Sequence, residues 1–86
     1  MNYKKPLKYR ALRRILNSFG IIEIKRRGKG SHRMFQGVRD GRVVRYPTKC
    51  HNEGEDKPIA VIEAIRRAFH LMEEDGVSDQ DFYGRA

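Results

Sequence analysis

The chain contains no tryptophan, a single cysteine, three prolines and no long uninterrupted run of apolar residues. Because Cys50 has no partner within the chain, an internal disulfide is excluded, and a reducing, cytoplasmic setting fits best. The apolar segments are interrupted by Arg, Lys and Glu, and none approaches the roughly 18 apolar residues of a membrane span. The N-terminal residues lack the apolar stretch of a secretory signal. We therefore expect a cytoplasmic protein with no membrane partner.

The 86 residues allow a single domain, which occupies residues 1–86. A domain this short has a thin core, so we expect a shallow site built from few residues and no deep cofactor cleft. Metal ligands are also scarce. Cys50 and His51 are adjacent, but His32 and His70 are far away in sequence and no paired-ligand spacing is present. We expect neither a metal nor a cofactor.

Acidic residues are scarce in the first half of the chain. Residues 1–49 contain 15 basic and 2 acidic side chains, whereas residues 50–86 contain 4 basic and 9 acidic ones, and the formal net charge is +8. An imbalance of this size favours a polyanionic partner for the first half over a merely solvated basic surface. A membrane surface is disfavoured, because the N-terminal helix is short and has no Trp/Phe-rich face. Nucleic acid is the expected partner.

Hydrophobic periodicity predicts the order helix, three strands, helix, over about residues 6–19, 21–26, 31–36, 42–46 and 58–73. Gly20 is expected to end the first helix in a left-handed conformation, and Asp40-Gly41 predicts a hairpin turn. Pro47 is expected to stop the third strand. Asp56 is a candidate N-cap of the second helix, with Pro58 in its first turn, and a capping pattern at Ser78 predicts one short terminal turn.

These elements bury their apolar faces only against each other. The predicted fold is an α+β two-layer α-β-β-β-α sandwich, with both helices on one face of a three-stranded antiparallel sheet and the other face open. In the first strand Ile22 and Ile24 alternate with polar residues, which is typical of a half-buried strand. If Phe35 faces the helices, His32 lies on the open face with Met34 and Gln36; if Met34 is the core residue, His32 is reached only at the sheet edge. The sequence leaves both arrangements open, although a core position is favoured for Phe35.

The densest group of candidate functional residues is the segment from Arg26 to Arg33. Its two glycines allow backbone N–H groups to approach an anion, and its cationic side chains surround the turn. The spacing is not that of a P-loop. We therefore predict phosphate contacts, and hence RNA binding, by residues of this segment other than His32, namely Arg26, Arg27, Gly28, Lys29, Gly30, Ser31 and Arg33.

His32 follows this glycine-containing turn and is the candidate catalytic residue. An imidazole, whose unperturbed pKa is about 6.5, suits proton transfer at neutral pH. RNA carries its own nucleophile, the 2′-hydroxyl, so a protein cleaves it by removing that proton, stabilising negative charge and protonating the 5′-oxygen. The residues alone leave open whether His32 does this or only hydrogen-bonds a phosphate. His51 is a candidate auxiliary acid or base, or an exposed loop histidine, and His70 is expected to be structural or solvated.

Several segments together resemble the HicA (YcfA-like) family. The resemblance covers about residues 7–72, and its most specific part is Gly30-Ser31-His32. The other matching segments are a helix ending in Phe19-Gly20, Arg33-Met34-Phe35, Asp40-Gly41-Arg42-Val43-Val44, Pro47, His51 and Ile65-Arg66-Arg67-Ala68-Phe69.

The resemblance implies a double-stranded-RNA-binding-domain-like fold and the activity of a toxin of a type II toxin–antitoxin system. That activity is metal-independent endonucleolytic cleavage of mRNA, with His32 at the family's catalytic histidine and Gly30 at its preceding glycine. A HicB-type antitoxin that binds and inhibits the toxin is the implied protein partner. The chain departs from the family pattern at Pro47 and His51, which are four residues apart instead of about two, and in its acidic loop 52–57.

Two further functions remain open at this point. A non-catalytic RNA-binding module of the same fold has the same charge asymmetry, since such modules contact phosphates and 2′-hydroxyls. An interaction protein whose basic face binds an acidic protein is the third possibility. Only the segment around His32 separates the nuclease from the plain RNA-binding module.

Overall fold

The computed structural model describes residues 2–25 and 30–86, without the side chain of Lys25. It is an α+β fold with a three-stranded antiparallel sheet, as predicted. In chain order the elements are β1 (Leu7–Lys8), α1 (Tyr9–Ser18), β2 (Ile22–Lys25), β3 (His32–Arg39), β4 (Arg42–Lys49), β5 (Asp56–Lys57), α2 (Ile59–Ala68), a 3₁₀ turn (Glu73–Asp75) and α3 (Asp79–Gly84).

Helix α1 begins later than predicted, because Leu7 and Lys8 pair with Lys57 and Asp56 in a separate two-stranded ladder that the sequence did not predict. The first N–H groups of a helix have no partner within it. In α1 these N–H groups are bonded by the loop before β5: Tyr9 and Arg10 donate to the carbonyls of Glu55 and Glu53 at 2.9 and 3.1 Å. The loop that carries His51 is therefore fixed to the start of α1.

The ends of α1 and α2 have the same hydrogen-bond pattern. The N–H groups of Gly20 and Ile21 donate to the carbonyls of Asn17 and Leu16, which are the two bonds of a Schellman motif. Gly20 has a φ of 82°, as predicted. At α2 the same bonds run from His70 and Leu71 to Arg67 and Arg66, and His70 has a φ of 55°. The prediction that the second helix continues to residue 73 was therefore wrong, because His70 ends it after Ala68.

Strands β2, β3 and β4 form the sheet in that order, so β4 lies at an edge. The Asp40-Gly41 turn joins β3 to β4, and both of its residues have positive φ, as a type I′ turn requires. Strand β4 extends to Lys49 and includes Pro47, contrary to the expectation that Pro47 stops it. Cys50 donates its N–H to the Ser31 carbonyl, so these two residues form a hydrogen-bonded pair. Hydrogen-bonded and non-hydrogen-bonded pairs alternate along an antiparallel ladder, and Pro47 therefore lies opposite Met34 in a pair without ladder hydrogen bonds. Its missing N–H breaks no bond to β3.

Burial distinguishes the two faces of the sheet. Phe35 is fully buried and stacks on Tyr9 of α1, so the face that carries it lies against the helices. Phe35 is paired with Glu23 and Tyr46, which places these two residues on the same face. We call this the helix face. The core position favoured for Phe35 is confirmed, and Tyr46 also packs against the core.

The opposite face, which we call the open face, carries the residues of alternate parity. From the strand pairing these are Ile22, Ile24, His32, Met34, Gln36, Val38, Val43, Arg45, Pro47 and Lys49. Ile22, Val38 and Val43 are 52%, 59% and 56% exposed. Ile22 and Ile24 share a face as predicted, but that face is the open one, and the polar Glu23 points into the protein.

Helix α2 begins at Ile59 with Pro58 as its N-cap and without a side-chain cap. The expectation that Asp56 caps this helix was wrong, because Asp56 lies in β5 and pairs with Lys8. The capping pattern at Ser78 is confirmed: its hydroxyl accepts the N–H of Asp81 at 3.0 Å and begins α3. Phe82 of α3 stacks on Phe19, so the C-terminal residues complete the core.

Candidate functional site

Four of the predicted phosphate-contacting residues, Arg26, Arg27, Gly28 and Lys29, lie outside the described residues. The structure does place Gly30, Ser31, His32 and Arg33. Gly30 is exposed, and a Cβ added to it would meet no atom within 4 Å. Ser31 uses its carbonyl to accept the Cys50 N–H at 2.8 Å, which joins the start of β3 to the end of β4. The described part of the predicted site therefore begins where these two strands meet.

His32 is the first residue of β3 and lies on the open face. It is partly buried in an open cleft of about 320 Å³, which Pro47, Thr48 and Lys49 of β4 also line among the described residues. Of the two arrangements left open by the sequence, the structure has the one in which His32 shares a face with Met34 and Gln36. The imidazole is thus accessible across the sheet surface.

Lys49 is directly opposite His32 in the pairing of β3 with β4. Because the adjacent Ser31–Cys50 pair is hydrogen-bonded, the His32–Lys49 pair is of the closely spaced kind, in which the Cα atoms are about 4.5 Å apart. Side chains at such positions interact directly. The pairing therefore places an imidazole and an ammonium group side by side on the open face.

The open face has no acidic residue among the positions that the structure describes, and it carries Arg45 in addition to Lys49. Arg45 donates from Nε to the Gln36 Oε1 at 2.8 Å, which leaves its terminal nitrogens available on the surface. The remaining positions are apolar apart from Gln36 and His32. The arrangement is a positively charged surface with apolar side chains between and beyond the cations.

Arg33 lies on the helix face, opposite to the cleft. Its guanidinium donates to Glu23 at 3.2 Å and Glu53 at 3.4 Å, beside Arg13, which also pairs with both carboxylates. The Tyr9 hydroxyl donates to Glu23. The structure therefore balances the charge of Arg33 within the protein and does not bring this residue together with His32.

The contacts in and around this partly buried network shift the pKa values of several groups. Burial and the hydrogen bond to Glu23 raise the pKa of Tyr9, and burial raises the pKa of the Cys50 thiol, which keeps both groups neutral at neutral pH. The hydrogen bond from Arg13 lowers the pKa of Glu53 from 4.5 to about 2. These groups form a charge-balanced support beneath the sheet.

His51 is exposed in the loop that follows β4 and is not among the residues that line the cleft. Its backbone N–H donates to the Glu55 carboxylate at 2.5 Å, as does that of Asn52 at 3.1 Å. These two bonds lower the pKa of Glu55 to about 2, with the Asn52 bond the larger cause. The acidic residues Glu53 and Glu55 of the loop are therefore used in contacts within the protein.

The Lys57 side chain holds the end of β4 by a hydrogen bond to its backbone. It is nearly buried, and its Nζ donates to the Lys49 carbonyl at 2.5 Å and to Glu55 at 3.2 Å. The backbone of Lys49 and that of His51 are thus held by one ion pair between Lys57 and Glu55. This contact positions the strand end that faces His32.

The sequence reasoning missed Lys49, Thr48 and Arg45. The signal that identifies Lys49 was present, because counting outward from the Asp40-Gly41 turn pairs His32 with Lys49. The expectation that β4 stops at Pro47 removed Thr48 and Lys49 from the predicted sheet. Nothing in the local sequence distinguishes Arg45 from any other exposed arginine.

Searches of protein-family models, curated proteins and solved structures find no match to this chain.

Within the residues that the structure describes, no three His, Cys, Asp or Glu side chains are grouped so as to hold a metal ion. The helices of the same residues are each too short or too polar to cross a membrane. His70 is remote from the cleft in the pairing, since its ring bonds Asp40 in the hairpin turn at the opposite end of the sheet.

Proposed function

We propose that this chain is a HicA-like mRNA interferase, a metal-independent endoribonuclease of the cytoplasm in which His32 is the general acid/base. The observation that supports this proposal is the position of His32 in an open cleft beside Lys49, on a face without acidic residues among the described positions. The polyanionic substrate approaches this face without electrostatic repulsion. The order α1, β2, β3, β4, α2 of the longer elements is compatible with a double-stranded-RNA-binding-domain-like fold, which belongs to the same proposal.

The proposed reaction is an internal transesterification of RNA. His32 in its neutral form removes the proton of a 2′-hydroxyl, and the 2′-oxygen bonds to the adjacent phosphorus while the bond from phosphorus to the 5′-oxygen breaks. A proton returns to that oxygen from the protein, from His32 or from the auxiliary candidate His51. The products are a 2′,3′-cyclic phosphate and a 5′-hydroxyl, so atoms and charge balance without a metal ion or an oxidant.

Cleavage by purified protein tests the role of His32. We expect His32→Ala to lower the cleavage rate of a single-stranded RNA about 10²–10⁴-fold while RNA binding is nearly unchanged. His70→Asn is the matched control, because this histidine is exposed at the opposite end of the sheet and asparagine tolerates its left-handed backbone. Cleavage should persist in EDTA and be unaffected by the control substitution.

Equal cleavage by the wild type and His32→Ala would contradict the proposed mechanism, and loss of cleavage in EDTA would contradict its metal independence. If the wild type binds RNA but does not cleave it, the chain is a non-catalytic RNA-binding module instead.

A HicB-type antitoxin is the protein partner that the proposal implies. We expect expression of the chain in bacteria to arrest growth and degrade mRNA, and co-expression of a small partner encoded in the adjacent reading frame to relieve the arrest. His32→Ala should not arrest growth. Growth arrest that is independent of His32 would contradict the toxin assignment.

A further inference from the structure

We infer that the RNA strand follows β4 across the open face, with Lys49 on the phosphate next to His32 and Arg45 on another phosphate of the same strand. The inference rests on the proposed function for the identity of the ligand, but it concerns binding and does not require cleavage. Lys49 and Arg45 are both on the open face of β4, an edge strand of the sheet.

Lys49 lies close enough to His32 for both side chains to contact one phosphate. A phosphate within reach of the His32 imidazole is also within reach of the Lys49 ammonium, because the two residues form a closely spaced cross-strand pair. Lys49 forms no ion pair within the described residues, and its backbone is held by the bond from Lys57 to its carbonyl. An ammonium group here stabilises the charge that develops on the phosphate during cleavage.

The distance between the two cations provides the second step. Lys49 lies four positions beyond Arg45 along an extended strand, or about 13 Å away. Because side chains stand roughly perpendicular to a sheet, we expect the two cationic groups to lie about that far apart, and they suit different phosphates of one strand. The hydrogen bond from Arg45 to Gln36 holds the guanidinium on the open face and reduces the conformational freedom lost on binding.

The apolar residues of the face identify a single strand as the occupant. Met34 and Pro47 lie between the two cations, and Val38 and Val43 lie beyond Arg45. Unpaired bases present apolar surface to such side chains, whereas a duplex presents mainly its phosphates and hydroxyls. The aromatic residues Phe35 and Tyr46 face the core, so the bases are expected to contact aliphatic side chains instead of stacking on rings.

Binding measurements in the His32→Ala background test this path without interference from cleavage. A labelled single-stranded RNA is titrated by fluorescence polarisation between about 50 and 200 mM KCl, and log K is plotted against log[KCl]. Lys49→Gln and Arg45→Gln should each make the slope shallower by about 0.7, the value for one phosphate contact on a single strand. Arg67→Gln is the matched control, because Arg67 is an exposed cation on α2, in the helix layer, and should leave the slope unchanged.

Val43→Ser tests the contact with bases. It should weaken the binding of single-stranded RNA without a change in slope, and it should have no effect on a duplex competitor. In the wild-type background Lys49→Gln should lower kcat/KM about 10²–10³-fold, as does removal of a group that stabilises transition-state charge, and Lys49→Arg should restore much of it.

The outcomes separate this inference from the proposed function. If the wild type cleaves RNA but Lys49→Gln and Arg45→Gln have the slope of the Arg67→Gln control, the path along β4 is wrong and the nuclease proposal stands. If the slopes change as expected but the wild type does not cleave RNA, the path stands and the nuclease proposal is wrong. Tighter binding of a duplex than of the single strand would overturn the single-strand occupant. A dimer of the chain that RNA does not dissociate would overturn it as well.

Discussion

Removal of the Arg66 guanidinium should destabilise the fold more than any substitution of an exposed arginine. Arg66 is fully buried on α2, and its guanidinium makes four hydrogen bonds. The acceptors are the Leu71 and Val77 carbonyls at 2.5 and 2.7 Å and the carboxylates of Glu63 and Asp79 at 3.2 and 2.6 Å. The same group lies 5.0 Å from the centre of the Phe82 ring. It therefore joins α2 to α3 and to the turn between them.

Arg66→Met keeps most of the apolar volume of the side chain but leaves Asp79 without a cation and Glu63 with Lys4 alone. Removal of one partner of a buried ion pair costs about 3–5 kcal/mol. A domain of this length has a free energy of unfolding of about 4–13 kcal/mol. We therefore expect Arg66→Met to remove a large fraction of the stability.

Urea unfolding followed by far-UV circular dichroism measures this loss. Arg67→Met is the control, because its side chain is exposed on the same helix, and its effect should stay within about 0.5 kcal/mol. Adding Glu63→Gln and Asp79→Asn to Arg66→Met should recover part of the loss, since the uncompensated carboxylates are then neutral. A loss below about 1 kcal/mol for Arg66→Met would show that the network contributes little, and would refute the reasoning.

Three further predictions concern the sheet and its support. Gly37→Ala should lower the free energy of unfolding by about 1–3 kcal/mol, because the new Cβ would lie 2.8 Å from Ile21 Cγ1. Gly30→Ala should leave the melting temperature unchanged, because a Cβ at that position meets no atom within 4 Å. Arg39→Met should lower the free energy of unfolding in urea by about 2 kcal/mol, since Arg39 donates to the carbonyls of Phe19 and Phe69 at the ends of α1 and α2. The control is Arg42→Met, because Arg42 is exposed and lies opposite Arg39 in the sheet. The pKa of Glu53 is about 2 in the fold and ordinarily 4.5, so its stabilisation is present above about pH 5 and is lost as the pH falls from 4.5 towards 2. Glu53→Gln should therefore show a smaller loss of stability than the wild type over that pH range, and parallel acid unfolding curves would contradict the assignment.

The parts of the fold that the sequence predicted are those with a local physical cause. Gly20 ends α1 because glycine adopts a positive φ without strain, and Asp40-Gly41 forms the hairpin for the same reason. The end of α2 uses the same hydrogen bonds, but its left-handed residue is His70. No glycine marks that position, so the periodicity of the helix was extended five residues too far.

The parts that could not be predicted depend on contacts between residues distant in sequence. Alternation places Ile22 and Ile24 on one side of β2, but it does not say which side faces the helices. Glu23 explains which side faces the helices, because its carboxylate accepts hydrogen bonds from Tyr9, Arg13 and Arg33 inside the protein. Strand β1 has only two residues and exists because β5 pairs with it. Lys49 differs from these, because its position follows from the Asp40-Gly41 turn once β4 continues through Pro47.

Folding pairs part of the basic first half of the chain with acidic residues of the second half. Acidic residues of the second half pair with cations of the first: Glu53 with Arg13 and Arg33, Asp56 with Lys8, and Glu63 with Lys4. These contacts involve the helix face and the segments around it, where Lys4, Lys8, Arg13 and Arg33 are balanced within the protein. On the open face, no acid among the described residues accompanies Lys49 and Arg45. A surface attracts RNA through the charges that remain unbalanced after folding, so the density of basic residues in the sequence is a weaker guide to the binding surface than the positions of the acids.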